Sequence, residues 1–498
     1  MILTWLIVIP LLGGTVSLMA GRRPALARWV ALAACALELA LALALWRPGV
    51  FVEQRVRWIP QWGISYHLAM DGLSLLLVLL TAVLGIAAVA ASWREITERV
   101  GGFHFALLAI LTGVIGVFLA RDLFLFYFFW ELMLVPMYFV IGIWGHERRI
   151  YATIKFFLFT FISSLLMLAG ILGLVFLHLR ETGALTFDAQ ALLRTPLSPG
   201  AAGLLMAGFL AAFAVKLPAV PFHTWLADAH TEAPTGGSIV LAGLLLKTGA
   251  YGMLRFAVPL FPQASQAVSV AACWVGVIGI LYGALLAFAQ SDFKRMVAYS
   301  SISHMGFVLL GIYAGNPVAL HGAVIQMLAH GISTPALFLL AGSVQERCKT
   351  REFERLGGLW QTAPRLGGFA LFFGLAALGL PGMGNFVGEF LVLLGAYRFS
   401  VAIAIVASIG FVLSTVYALR LLQESVYGPN RHAWRISDLS GRELATLGAL
   451  AAIIIWMGLW PGPLFRTAQD ALVGVERALS GQERVAAILA PRERGDPR

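Results

Sequence analysis

The stretch FLAAFAVKLPAVPFHTW (209–225) is apolar enough to enter a membrane, yet it carries Pro218 and Pro221 near its centre. A proline in the middle of a helix removes one amide donor and clashes with the preceding turn. We therefore predict that this span breaks into two half-helices. Lys216 lies directly before the predicted break.

A second stretch, ALGLPGMGNFVGEF (377–390), has the same character, with Pro381 among glycines. Pro218 and Pro381 are separated by the same interval as residues 103 and 266, where the fourth and ninth predicted spans begin. This spacing favours two repeats of five spans. Because five is odd, the second repeat must cross the membrane in the opposite sense, as in many secondary transporters.

The composition is that of a membrane protein, with 60% hydrophobic residues, 12% charged residues and a mean hydropathy of +0.86 over 498 residues. A helix needs about 20 apolar residues to cross a bilayer. We predict an all-α polytopic membrane protein with about 14 spans. They lie near 2–20, 29–46, 73–93, 103–120, 123–144, 151–179, 200–226, 235–257, 266–289, 296–314, 318–342, 365–397, 401–427 and 445–465.

The predicted domains follow from these spans. They are a three-helix segment (1–102), a first repeat (103–257, spans four to eight), a second repeat (258–428, spans nine to thirteen), and the last span with a tail (429–498). Loops after odd-numbered spans hold 17 Lys and Arg residues, against 8 in the other loops. By the positive-inside rule, odd-numbered loops are cytoplasmic and both termini face the other side. Because the basic residues cluster in these loops, the net charge of +10 is explained by membrane orientation and does not indicate nucleic-acid binding.

Among the ionisable residues inside apolar spans, we single out Glu131, Lys216, Lys247 and Glu389. The chain has only five lysines against 30 arginines. Lysine, unlike arginine, can lose its proton when it is desolvated, so a lysine inside a span is conspicuous. A charge at mid-membrane costs about 2.5–3.5 kcal/mol on insertion scales, so such residues indicate function. We predict a proton path in which Glu131 and Lys216 form a buried switch pair.

Histidines occupy the segments between these groups. His304, in YSSISHMGF, and His330, in MLAHGISTPALF, each lie beside hydroxyl residues inside a span, which favours a proton relay between Lys247 and Glu389. His223 and His230 flank WLADA and are further relay candidates; their spacing alone makes a metal pair a weak alternative. The isolated cysteines Cys35, Cys273 and Cys348 show no cluster spacing, so we expect no metal or redox cofactor in this chain.

Two motifs resemble a known family. KLPAVPFHTWLADAHTEAPTGGSIVLAGLLLKTGAYG (216–252) and SDFKRMVAYSSISHMGF (291–307) resemble the antiporter-like membrane subunits of respiratory complex I, which are related to Mrp-type cation/proton antiporters and membrane-bound hydrogenases. The resemblance covers essentially the whole chain. At the position of Glu389, in GNFVGEF, the chain carries an acid and so resembles the M type of these subunits. L-type and N-type subunits typically carry lysine at that position.

The resemblance implies roles for the same residues. Glu131 and Lys216 match the fifth-span and seventh-span pair, Lys247 the central lysine, and Glu389 the terminal acid. It also implies a bacterial inner-membrane location, L-type and N-type neighbours, and NADH, FMN, iron–sulfur clusters and quinone in partner subunits. The alternatives are a subunit of a Na⁺(K⁺)/H⁺ antiporter or membrane-bound hydrogenase, a stand-alone transporter of an organic substrate, and a passive scaffold.

Overall fold

The computed structural model describes residues 1–21, 23–430 and 432–480. Arg22 and Arg431, both counted above among the loop charges, and the tail beyond Ser480 lie outside the described residues. Over that part of the chain the protein is almost entirely helical, and 13 of its helices are long and apolar enough to cross a membrane. The prediction of an all-α polytopic membrane protein is confirmed.

The last helix of the first half of the chain is long and enclosed, and it carries Lys247. The helices of this half are α1 Ile2–Met19, α2 Pro24–Ala44, α3 Gly72–Glu95, α4 Val100–Leu119, α5 Leu123–Trp144, α6 Arg149–Thr182, α7 Ala189–Leu192, α8 Pro199–Lys216, α9 Thr224–Glu232 and α10 Thr235–Leu260.

The second half continues with α11 Pro262–Phe288, α12 Phe293–Ala314, α13 Pro317–Cys348, α14 Leu359–Thr362, α15 Pro364–Ala377, α16 Gly384–Phe399, α17 Val401–Tyr427, α18 Gly441–Leu459 and α19 Gly462–Ser480. Short 3₁₀ turns lie at Pro60–Trp62 and Phe353–Arg355. The helices α10, α12 and α13 are almost completely enclosed by the others, so their polar residues form the interior of the molecule.

Both proline-containing stretches interrupt the helical structure. The helix α8 ends at Lys216 and α9 begins at Thr224, while α15 ends at Ala377 and α16 begins at Gly384. In the second interruption Gly379 and Gly382 have φ angles of +80° and +95°, which glycine adopts without a steric penalty. The predicted twelfth span is thus two short helices, and the total of 14 spans and the repeat relation stay predictions.

Two elements were not predicted. The strands β1 (Val52–Ile59) and β2 (Ile64–Met70) form an antiparallel hairpin between α2 and α3, in register from Val52 opposite Met70. The helix α19 follows the last span, in what the sequence suggested was a tail. Its apolar side, with Leu464, Leu472 and Val475, is buried in contact with α3, α11 and α13.

Candidate functional site

Lys247 lies completely buried in the middle of α10, at a local irregularity of the helix. A wider π turn at Leu241–Leu245 precedes it, and such turns occur frequently at functional sites. The Lys247 Nζ donates to the carbonyl oxygen of Ala242 at 2.7 Å and lies 2.6 Å from Nδ1 of His330. An ammonium group has donors only, so His330 accepts at Nδ1 whenever Lys247 is charged. The two groups are placed to exchange a proton.

Glu389 is the centre of a second buried cluster. Its Oε1 lies 2.7 Å from Nδ1 of His304 and accepts from Nε2 of Gln326, also at 2.7 Å. The other ring nitrogen of His304, Nε2, lies 3.2 Å from the hydroxyl of Tyr417. Four groups from α12, α13, α16 and α17 thus share one hydrogen-bonded network.

The two clusters meet at their histidines. The ring centroids of His304 and His330 are 5.5 Å apart, at an interplanar angle of 61°. The predicted residues Lys247, His330, His304 and Glu389 therefore lie in one buried line, which is hydrogen-bonded at both ends and joined in the middle by the contact of the two imidazole rings, while Nε2 of His330 has no partner among the described residues. The free oxygen of Glu389, Oε2, has no partner among the described residues, and it faces Gly379 in the second interruption.

His230 lies in the last turn of α9, within electrostatic reach of Lys247. Its ring stacks on Phe338 with a centroid distance of 4.5 Å, and neither ring nitrogen has a hydrogen-bond partner in the described part of the chain. His223 precedes α9 and packs instead against Tyr282, at 5.4 Å. The described residues contain no cluster of three or more His, Cys, Asp or Glu side chains suited to a metal ion.

Glu131 and Lys216 are not in contact. No ion pair within 4.0 Å joins these two described residues, although Glu131 is the carboxylate that acts electrostatically on Lys216. The Lys216 Nζ has no hydrogen-bond partner among the residues described, and it lies over the rings of Trp130 and Phe156 at 5.7 and 5.5 Å. The buried cation is thus held by ring faces. The predicted pair is open in this structure.

Helix α8 packs closely against α10 beside Lys216. A Cβ atom on Gly249 would lie only 3.2 Å from Cβ of Lys216. Gly249 follows Lys247 by two residues and so lies on a different face of α10 from the Lys247 side chain. A larger residue than glycine would separate the two helices.

Two members of the site were not predicted, Gln326 and Tyr417. Gln326 precedes His330 by four residues on α13 and so lies on the same face of the helix. That spacing, together with a polar side chain in an apolar span, was the available signal. Tyr417 lies in α17 among apolar residues, and no pattern in the sequence distinguishes it.

The chain matches the family model described as NADH:quinone oxidoreductase/Mrp antiporter, transmembrane, over residues 120–414. It is 52% identical to the NADH-quinone oxidoreductase subunit M of Pseudomonas aeruginosa, covering 96% of this chain and 98% of the relative. It is 49% identical to subunit M of Escherichia coli K12, with the same coverage.

Solved structures show the same fold. A chain of respiratory complex I from Thermus thermophilus with bound NADH superimposes with a TM-score of 0.87 and 34% identity, covering 99% of this chain and 100% of that one. A chain of the Mrp complex from a Dietzia species gives a TM-score of 0.84 at 22% identity, with coverage of 98% and 99%. The second match concerns the fold alone.

Proposed function

This chain belongs to the NADH:quinone oxidoreductase/Mrp antiporter family, and we propose that it is a proton-translocating membrane subunit of an NADH-quinone oxidoreductase. The named relatives, 52% and 49% identical over almost their whole length, support this choice over an antiporter or hydrogenase subunit. The chain is a multi-pass membrane protein. Its loop charges favour periplasmic termini, and its bacterial relatives favour the bacterial inner membrane as its location.

The observation that carries the proposal is the buried line of Lys247, His330, His304 and Glu389. A charged Lys247 passes its proton along the 2.6 Å contact to Nδ1 of His330, which then releases a proton from Nε2. His304 receives it and transfers it to Glu389 across the 2.7 Å contact. Each step moves one proton between groups that can hold it, and no electron moves.

The pair of Glu131 and Lys216 acts as the gate. When Glu131 moves away from Lys216, the charge of that lysine loses the carboxylate that offsets it. A charged Lys216 in low dielectric raises the free energy of a second ammonium group at Lys247, which favours release of the proton toward His330. The open pair seen in the structure is one end of this motion.

The two helix interruptions serve as half-channels. The first, after Lys216 and beside His223, admits protons from the cytoplasm, and the second, where Oε2 of Glu389 faces Gly379, releases them. The repeats at 103–257 and 258–428 would place the half-channels on opposite sides of the membrane. The chain contacts L-type and N-type neighbours, and partner subunits that hold NADH, FMN, iron–sulfur clusters and quinone supply the driving force.

The test is Lys247→Ala in the assembled complex. NADH oxidation and proton pumping are measured in inverted membrane vesicles, and assembly is checked on a native gel. Loss of a relay group lowers rates by about 10²–10⁴-fold, so pumping should fall to background in an assembled complex. Leu246→Ala, an adjacent buried position in the same helix, controls for the cavity. Normal NADH-driven pumping in Lys247→Ala would contradict the proposal.

A further inference from the structure

The side of α10 that carries Lys247 leads on to two further polar residues. Tyr251 and Arg255 follow Lys247 at intervals of four residues, so the three side chains lie on one face of the helix, on successive turns. The guanidinium carbon of Arg255 lies 5.4 Å from the ring centre of Tyr251. Along the helix axis, Arg255 is about 12 Å from Lys247. This face therefore points from the buried lysine toward the end of α10.

The end of α10 lies on the side of the membrane from which protons must not return. It adjoins a loop that follows an even-numbered span, as do the end of α4 and the start of α3, and the loop charges assign these loops to the periplasmic side. A proton that moved inward along this face would reach Lys247 without passing Glu389. From there it would have access to the cytoplasmic half-channel, and the gradient made by the proposed pump would be dissipated.

Tyr251 occupies the first turn beyond Lys247 and is completely buried. Its hydroxyl donates to the carbonyl oxygen of Phe118 at 2.7 Å and lies 3.2 Å from the hydroxyl of Ser74. These contacts join α10 to α4 and α3. Because a hydroxyl group can pass a proton on, Tyr251 alone would not close the route.

One turn further, two arginines share a single carboxylate. Oδ2 of Asp71, the N-cap residue of α3, accepts from Nη2 of Arg255 at 2.5 Å and from Nη2 of Arg121 at 3.1 Å. Its Oδ1 accepts from the backbone N–H of Ser74 at 3.0 Å. The three side chains are only 5–14% exposed, and among the described residues neither arginine has a second carboxylate within 4.0 Å. This cluster, which we call the arginine cluster, therefore has a surplus of positive charge.

The arginine cluster opposes proton movement in two ways. Arginine keeps its charge at physiological pH, so the surplus charge is permanent and repels a proton in this region of low dielectric constant. Burial alone would raise the pKa of Asp71, but the charges of Arg255 and Arg121 outweigh it and hold the pKa well below its usual range. The carboxylate therefore stays ionised and does not take up a proton that it could pass to Tyr251.

We propose that Arg121, Asp71 and Arg255 form an electrostatic seal that keeps periplasmic protons from returning to Lys247. Fixed positive charges exclude protons from water-conducting pores by the same principle. The seal closes the periplasmic end of the first repeat, so that the second interruption remains the exit. The inference rests on the proposed function, because a seal at this place matters only if Lys247 carries protons.

The experiment measures proton leak through the complete, purified complex reconstituted in liposomes, with Arg255→Met in this chain. A pH gradient is imposed without NADH, and its decay is followed with a pH-sensitive dye against protein-free liposomes. Removing one charge about 12 Å from Lys247, at an effective dielectric constant of about 20, should raise the leak through the protein about 10-fold. Arg121→Met removes the same charge from another element and repeats the test, with assembly of both variants checked on native gels.

Three further variants separate charge from packing. Arg255→Lys keeps the charge and should stay as tight as the wild type. Arg180→Met, which removes an arginine that is 77% exposed on the same side, is the matched control and should not leak. Asp71→Asn breaks the same contact as Arg255→Met and keeps a good N-cap residue, but it increases the positive charge, so it should also stay tight.

The double variant Arg255→Met/Lys247→Ala tests the route itself. If the leak passes through Lys247, the double variant should be as tight as the wild type. The proposal is overturned if Arg255→Met and Arg121→Met both hold the gradient as long as the wild type, if Asp71→Asn leaks as much as Arg255→Met, or if the leak is undiminished in the double variant. Failure of the proposed function would appear separately, as normal NADH-driven pumping in Lys247→Ala alone.

Discussion

The two helix interruptions carry ionisable groups in opposite conditions. At the first, Lys216 ends α8 with no hydrogen-bond partner among the described residues and lies against aromatic rings. At the second, Glu389 lies in α16 with His304 and Gln326 both 2.7 Å from Oε1. Two hydrogen bonds at Oε1 hold the Glu389 carboxylate in place although its Oε2 has no partner among the described residues, whereas no hydrogen bond holds the Lys216 side chain. The first interruption is therefore suited to switching and the second to fixed delivery.

The strongest test of this comparison is Glu389→Gln. Glutamine keeps the size of the side chain and an oxygen for Gln326, but it cannot take up and release a proton. Because a proton-transfer group contributes about 10²–10⁴-fold, we expect proton pumping to fall by at least about 100-fold in an assembled complex. Pumping is measured in inverted vesicles with NADH as donor.

The variant Glu389→Asp tests whether the position of the carboxylate matters as well as its ability to titrate. Aspartate can still titrate, but its shorter chain draws the carboxylate away from His304 and Gln326, so its rate should lie between that of the wild type and that of the glutamine variant. Wild-type pumping in Glu389→Gln would show that the second interruption carries no proton.

A smaller effect is expected at the first interruption. Lys216→Met keeps the length of the side chain and its contact with the rings of Trp130 and Phe156, but removes the charge. If Lys216 acts by coupling to Lys247, the loss should correspond to typical coupling free energies, about 5-fold to 150-fold in rate. Lys216→Arg restores a permanent cation without a removable proton and separates the role of charge from that of titration.

The gate hypothesis also predicts the combined effect of substitutions at Glu131 and Lys216. If Glu131 and Lys216 act as a pair, the double variant Glu131→Gln/Lys216→Met should pump no worse than the poorer single variant. Independent roles would instead multiply the two losses. The same vesicle assay on the four forms decides between them, with assembly checked on native gels. Multiplied losses would remove the pair from the mechanism.

Much of the fold could be predicted because the bilayer imposes it. Long apolar runs marked most spans, and Pro218 and Pro381 marked both interruptions. The hairpin was missed because β1 is far shorter than a membrane span, mixes polar with apolar residues and is largely exposed, and it pairs only with a strand nearby in sequence. The helix α19 was missed because its apolar residues recur every three or four positions along a polar segment, a pattern weaker than a membrane span.

The functional site, like the fold, could be predicted from the sequence only in part. Lys216, Lys247 and Glu389 were visible because an ionisable residue in an apolar run is conspicuous. The open state of the Glu131–Lys216 pair was not, since sequence shows which charges share a span but not their separation.

The smallest effect in this comparison should come from Tyr417→Phe, which loosens the rigid second site without removing a proton carrier. If the Tyr417 hydroxyl donates to Nε2 of His304, the ring proton stays on Nδ1 and points at Glu389. Without the hydroxyl, the ring can adopt the other tautomer. A lost hydrogen bond costs about 0.5–1.5 kcal/mol, so pumping should fall by about 2-fold to 10-fold.

Tyr313→Phe is the matched control for that variant. Its hydroxyl is also buried, near the end of α12, but it has no hydrogen-bond partner in the described part of the chain. Removing it should leave NADH-driven pumping unchanged. Equal losses in both variants would mean that the effect comes from altered packing. A loss confined to Tyr417→Phe would mean that the fixed tautomer of His304 sets the rate of delivery to Glu389, which is the property that distinguishes the second interruption from the first.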